Sequence, residues 1–176
     1  MSDPSTCGDL HDESAADVLL AIDTVTLLDH PHDSPVGDAH TTAVDGSACF
    51  CLSSGADALT GVNTTTWPLD VRPGARLRLR WTPLAMRGEH AVLLHLSLAD
   101  EAVLGNLQLH VDDNAVRYAP LPGSPGDAIA RPAPDAFWQA QVVASGKATL
   151  TVQAIVTDRD AAVLGRFGWT VPIAVL

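Results

Sequence analysis

A chain of 176 residues with 47% hydrophobic and 18% charged residues can bury a proper core, so an intrinsically disordered protein is excluded. The formal net charge is −11, with 18 Asp and 3 Glu set against nine Arg and one Lys, and this argues against a nucleic-acid partner, which needs a basic face. No apolar run reaches the 18 to 20 residues of a membrane helix, and Met1 to Ala15 is an acidic, polar stretch without a signal core. Glu, Lys and Gln favour helices whereas Asp favours turns, so the composition points to strands joined by Asp-bearing turns.

In chain order, residues 1–15 are expected to be a flexible acidic leader and 16–176 a single domain. Ala16 to Leu28, "ADVLLAIDTVTLL", has many β-branched residues and no helical spacing, which predicts a first strand with Asp23 inside it. An aspartate there needs a pairing partner or hydrogen bonds; it is either a structural group or an acid of raised pKa at a pocket mouth.

Leu27 to His40, "LLDHPHDSPVGDAH", reads as a loop. Its prolines favour extended backbone at His30 and Ser34, which would place His30 and His32 on one side with Asp33, Asp38 and His40 nearby. Imidazole and carboxylate of this kind suit zinc, copper or iron, although no recognised zinc spacing is present. A solvated loop is the plainer reading, and the expected cofactor is none.

"SACFCLSS" is a short strand whose Cys49 and Cys51 point to the same face as small buried side chains, with a metal or redox pair as the alternative. In "VNTTTWPLDV", Pro68 marks an edge, and Trp67 is the expected exposed aromatic, suited to stacking on a sugar. "RPGARLRLRWT" alternates strictly, so Arg76, Arg78 and Arg80 share one strand face. That face is either the wet side of a sheet or a site for an anionic ligand. "HAVLLHLSLA" and "AVLGNLQLHV" follow as strands, in which His95 and His110 alternate with apolar neighbours.

Asp112, Asp113 and Asn114 supply turn chemistry, as do Asp158 and Asp160; calcium at either cluster is the alternative. Pro120 to Asp135 holds five of the twelve prolines and is expected to be a long surface loop. "AFWQAQVVAS", "ATLTVQAIVTD" and "AVLGRFGWTVPIAVL" complete the strands, with Trp81, Trp138 and Trp169 in the core. In the second of these, Leu150, Val152, Ala154 and Val156 face one way, and Thr149, Thr151, Gln153 and Ile155 the other. The expected fold is an all-β antiparallel sandwich of about eight or nine strands. Ser124 lacks a nucleophile-elbow setting, and no phosphate loop or dinucleotide fingerprint is present.

The opening "ADVLLAIDTVTLL" with its Pro-, Asp- and Ser-bearing loop, "WPLDVRPGARLRLRW", and the closing "FWQAQVVASGKATLTVQAIVTDRDAAVLGRFGWTVPIAVL" together resemble the PixA/AidA inclusion-body proteins over about residues 17 to 176. The chain departs from that pattern at Ala75, where an acidic residue is usual, and at Trp169–Pro172, which lacks the usual Trp-Asp-Pro run. The resemblance implies an immunoglobulin-like β-sandwich from a bacterium, cytoplasmic, self-associating and under quorum-sensing control, with no catalytic residue to carry over. The expected partner is another copy of the chain, the surfaces being "VPIAVL" and "LLHLSLA". A lectin-like module binding a small polar ligand between Trp67, the arginine face and the proline-rich segment is one alternative. A metal-assisted enzyme built on His30, His32 and His40 is another.

Overall fold

The computed structural model describes residues 15–31, 40–53, 66–85 and 88–176. Among these are twelve strands and one short helix: β1 Ala15–Ile22, α1 Thr24–Asp29, β2 Thr42–Ala43, β3 Cys49–Ser53, β4 Trp67–Leu69, β5 Arg76–Pro83 and β6 Ala91–Leu98, then β7 Leu104–Asp112, β8 Val116–Leu121, β9 Ser124–Pro132, β10 Asp135–Val142, β11 Gly146–Thr157 and β12 Val163–Val175. One five-stranded sheet has the order β3-β1-β5-β10-β7. The other has the order β2-β12-β11-β6, with β4 also paired to β12. The expected leader, apart from Ala15, lies outside the described residues.

Alternation decides which side chains meet between the sheets. On β11 the row Ala148, Leu150, Val152, Ala154 and Val156 is buried, as the period of two predicts, and on β12 so are Phe167, Trp169, Val171, Ile173 and Val175. From the first sheet Val18, Leu20 and Ile22 of β1, Leu77 and Leu79 of β5, and Trp138, Ala140 and Val142 of β10 join the same cluster. The result is the all-β, sandwich-like architecture expected, with a strand count above the expected eight or nine. The sheets are mixed, because β1 runs parallel to β5, and β12 runs parallel to both β2 and β4.

Three expectations are corrected. The first strand ends at Ile22, because Asp23 caps a helix instead of continuing the strand: its carboxylate accepts from the backbone N–H groups of Val25 and Thr26, each at 3.1 Å, and from Thr26 Oγ1 at 2.8 Å. Secondly, the segment Pro120–Asp135 is no loop. Most of it belongs to a β8–β9 ribbon that pairs Val116 with Pro132 and Pro120 with Ala128. Prolines are tolerated because each strand of a two-stranded ribbon hydrogen-bonds on one side only. Thirdly, Trp67 is only 6% exposed; it lies opposite Ile173 in the β4–β12 pair, with its indole in the core.

The last strand of the second sheet, β6, has its outer edge covered. Trp81 Nε1 donates to the Val92 carbonyl at 2.8 Å, and Trp138 Nε1 donates to the Leu94 carbonyl at 3.0 Å. Two indoles from the first sheet thereby satisfy alternate edge carbonyls of the second, which locks the layers together and blunts that edge. Among the described residues, no helix is long and apolar enough to cross a membrane.

Candidate functional site

The arginine row lies on the outer face of the first sheet, as its alternation requires, and neighbouring strands bring carboxylates to it. The parallel register sets Asp17 of β1 beside Arg78, whose Nη2 donates to Asp17 Oδ2 at 3.1 Å, with Nε 2.9 Å from Oδ1. Arg80 donates to the Asp135 carboxylate and lies over the Phe137 ring, 5.0 Å from its centroid. Arg117, at the foot of the ribbon, reaches the other oxygen of Asp135 at 3.5 Å. Phe137 is stacked on His110 at 5.2 Å with the rings 10° apart. Arg76 is exposed beside a shallow groove of about 310 Å³ lined also by Asn106, Gln139 and Gln141. The row is therefore an ion-paired polar surface whose charge is offset along most of its length.

Arg80, Asp135 and Arg117 also line a cleft of about 770 Å³ between the ribbon's foot and the sandwich, together with Leu19, Trp81, His90 and Val116. Two guanidinium groups sharing one carboxylate leave a single positive charge there, which suits a small anionic or polyhydroxylated group. Trp81 contributes its ring to this cleft, since its N–H is already given to Val92. His90 Nδ1 is bonded to Thr24 Oγ1 at 2.9 Å.

The remaining candidate residues are not gathered here. Asp23 lies at the start of α1, its carboxylate occupied as a cap, and Trp67 is in the core. Of the proposed metal ligands, His30 ends α1, its backbone N–H donating to the Leu27 carbonyl at 3.2 Å, and His40 precedes β2. His32 and Asp33 lie outside the described residues, as does Asp38. Among the described residues no group of three or more His, Cys, Asp or Glu side chains is placed to hold a metal ion.

The two acidic turns use their carboxylates internally. Asp112 Oδ1 accepts from Asn114 N at 2.9 Å, and Asp158 Oδ1 accepts from both Asp160 N and Ala162 N at 2.9 Å. Cys49 and Cys51 are buried, and burial pushes the Cys49 thiol up to about 12, with Cys51 beside it adding to the effect. Arg117 and Asp135 were not singled out from the sequence. For Arg117 the signal was the alternation of "AVRYA" before the Pro-Gly turn at Pro122 and Gly123, whereas nothing local marked Asp135.

Comparison with known proteins agrees with the fold. The chain is similar to a crystal structure of an inclusion body protein (PixA) from Burkholderia cenocepacia J2315, with a TM-score of 0.72 and 20% sequence identity over 93% of this chain and 96% of that one. No curated protein matches it. The family described as PixA, inclusion body protein, matches residues 14–175, so the chain belongs to the PixA inclusion body protein family.

Proposed function

We propose that the protein is a non-enzymatic, self-associating cytoplasmic protein whose role is assembly, of the kind that accumulates under quorum-sensing control. The observation that carries this reading is an uncovered core-side row on β7, the last strand of the first sheet among the described residues. Leu109 and Val111 lie opposite Trp138 and Ala136 and so on the core-facing side, yet they are 48% and 59% exposed. Apolar side chains on that face are normally covered by the opposing sheet; here two of them are exposed, which supports a surface for another chain.

The surfaces expected from the sequence contribute less. In "VPIAVL" the residues Val171, Ile173 and Val175 are core, and in "LLHLSLA" Leu94 and Leu96 are, leaving Leu176 and Leu93 exposed. Sedimentation velocity of the full chain from micromolar to millimolar concentration tests the reading: growth in mass supports it, and a single monomeric boundary throughout overturns it.

A second reading, binding of a small polar ligand, is supported by the Arg80–Asp135–Arg117 cluster in the cleft at the ribbon's foot. It no longer involves Trp67. A thermal-shift panel of monosaccharides and small carboxylates tests it; a hit that Arg117→Ala leaves unaltered removes the cleft as its site.

A further inference from the structure

The strands β8 and β9 hydrogen-bond to each other and to no other strand among the described residues. Their register sets Val116 opposite Pro132, Tyr118 opposite Ala130, and Pro120 opposite Ala128. Cross-strand partners share a face and alternate residues share a side, so all three pairs lie on one face of the ribbon. That face is wholly apolar apart from the tyrosine hydroxyl, and all of it is exposed, Tyr118 at 73%. A two-stranded ribbon is marginally stable alone in water and needs its apolar face covered.

We infer that this ribbon is an exchange arm: its apolar face seats on the Leu109 and Val111 row of a second copy, whose ribbon seats reciprocally on the first. The inference rests on the self-association proposed above and names the surface that performs it. Two observations point to a second copy as occupant. Each chain carries one uncovered apolar arm and one uncovered apolar row, so a two-fold pair satisfies both at once. The two surfaces are also continuous within a chain, since Val111 lies opposite Ala136, which lines the same cleft as Val116.

The test mixes full-length chains in a Cys7→Ser background, one bearing Tyr118→Cys and the other Leu109→Cys, and oxidises them. A covalent pair that increases with concentration, and is absent when Lys147→Cys replaces Leu109→Cys, is expected. In parallel, Tyr118→Glu is expected to weaken association about tenfold or more, as removal of a central aromatic anchor does, with an unchanged circular dichroism spectrum. Association of Tyr118→Glu equal to that of the unaltered chain, or no cross-link at Leu109, overturns the arm while leaving self-association standing. A monomer at every concentration removes both.

Discussion

The indole N–H of Trp138, from the first sheet, donates to the backbone carbonyl of Leu94 in the second at 3.0 Å, inside the core. This bond, with its neighbour from Trp81 to Val92, joins the two layers at the edge strand β6. Trp138→Phe keeps most of the apolar volume but leaves a buried carbonyl without a donor. It is expected to destabilise the fold by about 1–3 kcal/mol, read as a lower urea midpoint at unchanged slope.

Asp23 sets where β1 stops. Asp23→Ala removes the acceptor for the Val25 and Thr26 amides and should cost about 1 kcal/mol in urea unfolding, whereas Asp23→Asn should keep most of that stability. Equal losses for the two would mean that charge, and not capping, is what matters there.

Gly46 has φ +75, and a Cβ there would lie 2.8 Å from Trp169 Cδ1. Gly74 has φ +92 with nothing within 4 Å of the same added atom. Both Gly→Ala changes strain the backbone, but only Gly46→Ala must also displace a core indole. Gly46→Ala is therefore expected to lower the thermal midpoint more than Gly74→Ala, whose cost is about 1 kcal/mol of backbone strain.

Cys49, raised from 9.0 to about 12 by burial, is a neutral thiol throughout the physiological range. Iodoacetamide at pH 8 should leave it unmodified in the native protein and label it in urea. Because the folded state holds this proton more tightly, its contribution to stability is fully present below pH 9 and is lost as pH rises from there towards 12. Cys49→Ala should flatten that alkaline decline in a stability–pH profile.

Much of the fold was legible wherever one face is buried and the other wet, because the period of two then shows. The segments "RLRLRW" and "ATLTVQAIV" are the clearest cases, and β5 and β11 occupy them. The helix α1 was hidden by its own composition: Thr24, Val25 and Thr26 are β-branched, and six residues are too few to display helical spacing. Only Asp23 signalled it, and a capping aspartate and an aspartate within a strand look alike without coordinates. The ribbon was masked by prolines, which rule out a central strand but not a strand paired on one side. Trp67 does not show its burial in the sequence, because Thr64 to Thr66 suggest a wet surface, whereas the parallel pairing with β12 turns its indole inward. The Arg80–Asp135–Arg117 cluster depends on contacts 18 and 55 positions apart, which no local pattern encodes.

The central claim is that the β8–β9 ribbon is covered by another copy of the chain, and amide hydrogen exchange at low and high protein concentration tests it most directly. The ribbon amides of residues 116–132 should exchange quickly in dilute solution and slow markedly as concentration rises, while those of β11 stay equally protected at both. Rapid exchange in the ribbon at every concentration would contradict it.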